Sequence, residues 1–262
     1  MIESIGVAKT LFTFGSVYLV VMLVGASMMR RPAPGWKPEG WTPPAPKPGS
    51  MIASNSVSRN TAITKVQFYL LWGVLFINVT AGIGILSQAS PMMQNLFKKS
   101  PLEAAAVVGL ISIFNAGGRF FWASLSDYIG RRATYLTFFS VQFVLFLLIP
   151  RLAAGGEWLL FLAALFTVFT MYGGGFATIP AFLADIFGAE NVGAIHGSLL
   201  TAWSAAAVVG PLIITQLSES AKAALEPGAS LVHIYDKPLA VLAGFLAVGF
   251  VLTALVRPLR VV

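Results

Sequence analysis

GGRFFWASLSDYIGRR, residues 117–132, decides the fold. It sets one arginine, Arg119, inside a long apolar run, eight residues before Asp127 opens a short Asp-x-x-Gly-Arg-Arg turn. An apolar run that ends on paired arginines reads as a membrane helix meeting the headgroup layer. The arginine within it is the anomaly that points to function, because a cation in hydrocarbon needs a reason to be there.

The whole chain agrees with that environment. It has 262 residues, 57% of them hydrophobic and 10% charged, with a mean hydropathy of +0.81. Soluble domains carry about 25% charged residues. The net charge of +7 does not signal nucleic acid, because the cations gather at the ends of apolar segments. With no cysteine, neither a disulfide framework nor a thiolate metal site can form. The two histidines, His196 and His233, fall near loops. No metal or other cofactor is expected, and no enzyme. The first apolar run ends in Met-Met-Arg-Arg and is too long for a signal peptide core.

A span needs about 20 mostly apolar residues. Seven segments qualify: Ala8–Met29, Val66–Ser87, Leu102–Leu125, Ala133–Pro150, Trp158–Phe187, Ala194–Leu217 and Pro238–Val256. Each must satisfy its own backbone in lipid, so all are predicted to be helices. The fold class is therefore all-α integral membrane. Residues 30–65 hold seven of the fifteen prolines and read as an extended, semi-rigid cytoplasmic linker. The domain plan is a single helix over residues 1–29, that linker, and a six-helix bundle over residues 66–262.

Lysine and arginine set the orientation. Ten fall on the side that carries Arg30, Arg131 and Arg257, and six on the side that carries Lys98 and Arg151. The richer side is expected to be cytoplasmic, with the C-terminus inside and Met1 outside. That disposition fits a chain with further helices ahead of Met1.

The spans differ in character. Those at 133–150 and 238–256 are almost wholly apolar and read as a lipid-facing rim. The spans at 66–87, 102–125, 158–187 and 194–217 carry Asn78, Asn115, Arg119, Tyr172 and Trp203 among many glycines, and read as central. Arg119 lies about 12 Å deeper than Asp127, close to the bilayer midplane. An arginine there costs about 2.5–3.5 kcal/mol. Ser112, Asn115 and Arg119 share a face by i, i+3, i+7 spacing. A polar stripe ending in a guanidinium makes sense beside a cavity, and a planar guanidinium matches a carboxylate. The competing reading, an arginine satisfied within the protein, is weakened because no acidic residue lies at that depth. In the turn, Gly130 supplies the positive φ that a tight helix link can require. Asp127 can accept from helix N-terminal amides, and Arg131 and Arg132 can hold headgroups or the C-terminus of a neighbouring helix.

Asp127-x-x-Gly130-Arg131-Arg132 after a span resembles the loop signature of the major facilitator superfamily, with Ala123 where a glycine is usual. FINVTAGIGILSQASP, NAGGRFF and PAFLADIFGAENVGAIHGSLLTAWSAAAVVGP together resemble the oxalate/formate antiporter family within it. The resemblance implies helix six, the central loop and helices seven to twelve of a twelve-helix transporter, moving small organic anions by alternating access. Asp127, Gly130, Arg131 and Arg132 read either as a capped, positive-inside turn or, more sharply, as an interdomain latch that breaks during gating. The resemblance places the cation of helix eight at Arg119 and aromatic cargo-cage positions at Tyr172 and Phe176. The second cation expected for a two-carboxylate cargo falls on Trp203, which carries none. One visible cation favours a monocarboxylate of the formate, lactate or pyruvate type over oxalate.

Trp203 lies about 13.5 Å into its span, matching the depth of Arg119. Asn78 could donate to cargo or tie two helices. The Gly173-Gly174-Gly175 run and the Gly193/Gly197 pair read as sites of close helix approach. The expected partners are a small carboxylate, membrane lipid and a missing N-terminal half, and the expected membrane is the bacterial cytoplasmic one. Three alternatives stand beside this reading: oxalate/formate exchange in an intact protein, an inactive truncated half, and a seven-helix sensor or receptor. The last fits the span count but lacks a lysine inside the final span.

Overall fold

The computed structural model describes residues 2–30, 33, 36, 38–40, 53, 56–226 and 231–257. Seven helices are long and apolar enough to cross a membrane: α1 (Val7–Met28), α2 (Val66–Phe97), α3 (Pro101–Ile129), α4 (Arg131–Ala154), α5 (Trp158–Phe187), α6 (Val192–Ala223) and α7 (Leu231–Leu255). No strand occurs among the described residues. The all-α membrane class read from composition is what the structure has.

The chain divides into two compact units, Met1–Pro48 and Gly49–Val262. The first holds α1, exposed along nearly its whole length. Its hydroxyls are satisfied locally: Thr10 and Thr13 donate to the carbonyls of Gly6 and Lys9 at 2.8 Å each. A helix that is apolar all round and closes its own polar groups is suited to lipid. Most of the proline-rich linker lies outside the described residues, as do Arg31, Lys37, Lys47 and Arg260.

The second unit holds α2 to α7. Helix α3 starts on a capping box, in which Ser100 accepts from the Glu103 amide at 3.3 Å while Glu103 accepts from the Ser100 amide at 2.8 Å. Pro101 follows at the first helical position. Gly130 alone links α3 to α4, at φ 86° and ψ 147°. A side chain there would be strained, so the glycine meets the need foreseen for the turn. Pro91, Pro150, Pro180 and Pro211 all lie within helices. Helix α6 is interrupted at Leu200, and the Trp72 indole donates to Thr201 Oγ1 at 2.9 Å, tying α2 to the break.

Helices pack chiefly as the pairs α3–α5, α2–α6 and α4–α7. More than half of the apolar stretch of α2 and of α5 is buried, and these two form the centre. Helices α3 and α6 are the most exposed of the six. Here the structure differs from the sequence reading, which puts all four polar helices at the centre and α4 and α7 at the rim. Tyr135, Phe138, Phe139 and Phe146 of α4 are fully buried, with Phe139 against Gly249 of α7. Apolar side chains suit lipid and helix contacts equally, so composition could not tell the two apart.

Glycines set the α3–α5 spacing. A Cβ on Gly118 would collide with the backbone of Thr170, and one on Gly173 with the backbone of Asn115. A Cβ on Gly174 would come within 2.8–2.9 Å of Trp122 and Phe138, and one on Gly175 would overlap Asn78. The three consecutive glycines of α5 thus admit three different helices. Gly193 and Gly197 have nothing within 4 Å, so that pair is not a helix contact within the bundle.

Candidate functional site

The close α3–α5 approach fixes Arg119. Its neighbour Gly118 lies against Thr170, the Trp122 indole donates to Thr170 Oγ1 at 3.2 Å, and Phe114 stacks on Phe166 at 4.3 Å. With the two helices clamped together, the Arg119 guanidinium lies over the Phe176 ring, 5.7 Å from its centroid. A cation over an aromatic face is attracted by the ring quadrupole by about 0.5–2 kcal/mol. That contact orients the guanidinium without consuming a hydrogen-bond donor.

Phe176 belongs to a continuous aromatic array. Phe169 and Tyr172 meet edge to face at 6.0 Å, Tyr172 and Phe176 at 5.3 Å, and Phe176 and Trp203 at 5.5 Å. The array runs from α5 to α6, with Arg119 of α3 beside it. Tyr172 is buried because its ring packs on Gly82 of α2, where a Cβ would overlap it. Trp203 is 45% exposed, and Arg119 is exposed as well. From the ends of their helices, Arg119, Phe176 and Trp203 all lie at about 15–17 Å depth by rise per residue. Among the described residues, no carboxylate and no backbone oxygen binds Arg119, while Arg119 is the one cation in the interior of a span. All five donors of its fork are therefore open to an incoming anion.

The remaining residues singled out from the sequence are placed differently. Asn115 is half-buried one turn from Arg119, and its Oδ1 lies against Gly173, enclosed and without a hydrogen-bond donor. Asn78 is fully buried behind the array, where its Oδ1 accepts from Gln142 Nε2 at 3.3 Å. It ties α2 to α4 and does not reach the exposed face. Gln142 and Tyr135, whose hydroxyl donates to the Gly175 carbonyl at 2.7 Å, were not among the sequence candidates. Their spacing of seven in an otherwise apolar span puts them on one face, and that was the available signal.

In the turn, Asp127 pairs with Arg131 rather than with helix amides. Arg131 also donates to Ser126 Oγ, and its Nε lies 3.8 Å from Asp185 of α5. Arg132 donates to the carbonyls of Thr253 and Ala254, which terminate α7. Cations at a helix C-terminus satisfy its last acceptors and its dipole. One Arg-Arg pair thus ties α4 to α3 and α5 on one side and to α7 on the other.

A sequence model of the Major Facilitator Superfamily matches residues 1–211. The chain belongs to the major facilitator superfamily. Members of this superfamily are membrane transport proteins, not enzymes, and the seven helices are those of an integral membrane member. The chain is 31% identical over 144 residues to the oxalate:formate antiporter of Oxalobacter formigenes, covering 55% of this chain and 34% of that protein. It is 25% identical over 203 residues to the uncharacterised MFS-type transporter YhjX of Escherichia coli (strain K12), covering 75% and 46%. Apicoplast pyruvate carrier 1 of Toxoplasma gondii is 27% identical over 152 residues, covering 55% and 27%. The resemblance read from the motifs, to this superfamily and to oxalate/formate antiporters within it, holds. The matches span between about a quarter and a half of the length of these relatives.

Proposed function

We propose that the six-helix bundle forms one wall of a secondary transporter for small monocarboxylates. Arg119 is the carboxylate ligand. Tyr172, Phe176 and Trp203 form an aromatic cage around the cargo, and Asn115 completes the polar stripe. Asn78 supports the cage from behind. The observation that carries this reading is the Arg119 guanidinium, oriented on Phe176 with its hydrogen-bond donors unused among the described residues. A cation at that depth facing lipid would cost about 2.5–3.5 kcal/mol, whereas facing a closed cavity it repays the cost by binding an anion. The exposed face of α3 and α6 is then where a second six-helix bundle packs, and the two rock about the midplane site. In this reading the Gly130 end and the C-terminus are cytoplasmic, in a bacterial inner membrane. The ties of Arg131 and Arg132 hold the bundle rigid as it moves, and the Asp127–Arg132 turn is the interdomain latch through contacts to the second bundle that break during gating.

Oxalate/formate exchange is the second reading, favoured by the 31% identity to the Oxalobacter formigenes antiporter. Against it, Trp203 stands where that family is expected to place a second cation, and an uncompensated second carboxylate in a dry cavity is costly.

Deleting the gene from its source cells and measuring uptake of labelled formate, lactate and pyruvate into membrane vesicles tests the proposal. Loss of a saturable uptake component for at least one of them is expected. Unchanged uptake of all three, with loss of some other solute, would overturn it.

A further inference from the structure

A second basic site lies away from the aromatic array. A cavity of about 580 Å³ opens at the Gly130 end of the bundle, between the start of α4 and the ends of α5 and α7. Arg131, Arg132 and Arg257 line it, against a single carboxylate, Asp185. Arg131 is already held by Ser126 and by two carboxylates, Asp127 and, at 3.8 Å, Asp185, so its guanidinium is preorganised while Arg132 and Arg257 supply the uncompensated charge. Arg132 spends Nε and Nη2 on the last carbonyls of α7. Arg257 has no hydrogen-bond partner or ion pair among the described residues. The other wall is apolar, built from Leu136, Phe182 and Ile186. Leu136 lies one turn into α4 from Arg132, and Phe182 one turn into α5 from Ile186, so the apolar lining continues deeper than the cations.

We propose that this cavity binds the phosphate of an anionic phospholipid, with an acyl chain along the Leu136–Phe182 wall. Guanidinium forks match phosphate oxygens bidentately. Basic pockets between membrane helices near the headgroup layer hold lipid phosphates. A free phosphate would use the arginines alone and leave the apolar wall without a role, which is why a lipid is the occupant. The site is distinct from the Arg119 array and does not depend on what that array transports.

The test is lipid retention by the purified chain in detergent, read by native mass spectrometry with equimolar phosphatidylglycerol and phosphatidylcholine of identical acyl chains. Phosphatidylglycerol adducts are expected to exceed phosphatidylcholine adducts about fivefold, and R257Q to lower them about threefold or more. R257Q breaks no hydrogen bond or ion pair among the described residues, so the fold should be retained. R59Q removes a cation at the same end of the bundle but outside the cavity, and should leave adducts unchanged. Inorganic phosphate at matched ionic strength should compete with phosphatidylglycerol better than chloride does. No headgroup preference, an equal loss in R257Q and R59Q, or binding of inorganic phosphate without retention of phosphatidylglycerol would each overturn the assignment.

Discussion

Arg119→Gln is expected to lower saturable carboxylate uptake about 100- to 1,000-fold, with the protein still inserted at wild-type level. Removing one partner of a desolvated ion pair costs about 3–5 kcal/mol, and at 1.4 kcal/mol per tenfold the lower part of that range, about 3–4 kcal/mol, suits a guanidinium at an exposed face. The unbound state should not suffer, because Arg119 makes no hydrogen bond among the described residues and contributes only its contact with Phe176. Arg119→Lys keeps the charge but loses the planar fork and the stacking geometry, so a loss of about tenfold or more is expected. The measurement is uptake of labelled pyruvate into vesicles of the deletion strain carrying each variant, with membrane abundance read by immunoblot. Wild-type uptake kinetics in Arg119→Gln would remove this residue from the site.

Gly118→Ala is expected to lower the midpoint of thermal unfolding by about 10 °C, while Gly117→Ala leaves it unchanged or slightly raised. Overpacking costs about 1–3 kcal/mol and more where nothing can yield. In a bundle of this size each kcal/mol is worth about 2–4 °C. At Gly118 the added carbon meets the Thr170 backbone, which cannot rotate away, and relief requires α3 and α5 to separate. At Gly117 nothing lies within 4 Å, and alanine is the better helix former. The two neighbours therefore differ only in what they face. Thermal unfolding of both purified variants in one detergent provides the check, and equal midpoints would contradict the close-packed α3–α5 pair. Because the same pair aims Arg119 at Phe176, Gly118→Ala should also impair uptake in whatever protein survives.

Much of this was legible beforehand for a physical reason. Lipid imposes length and continuity on helices, so the seven spans and the Gly130 turn could be read from hydropathy and one glycine. Depth follows from rise per residue, which puts Arg119 and Trp203 at one level from the sequence alone. The i, i+4 spacing of Tyr172 and Phe176 puts both rings on one face of α5. What could not be read was which apolar faces meet protein. Tyr135 and Gln142 sit in a span that composition assigns to the rim, yet both are buried in the bundle. The Gly193/Gly197 pair has the spacing of a helix contact and faces open space, whereas Gly173, Gly174 and Gly175, with no repeat spacing, are each pressed by another helix. Small residues permit close approach but do not say where it occurs. Asn78 illustrates the same limit: its span and depth were readable, but its burial behind the array and its bond to Gln142 depend on how α2 meets α4.

In the proposed site, one guanidinium within the aromatic array answers one carboxylate. Competition against labelled pyruvate uptake tests it most directly, with unlabelled formate, lactate and oxalate titrated at a pH where oxalate is a dianion. Formate or lactate should compete in the same range as pyruvate, and oxalate should be at least about tenfold weaker because its second charge has no partner. Oxalate competing as well as or better than the monocarboxylates would contradict this one-to-one pairing.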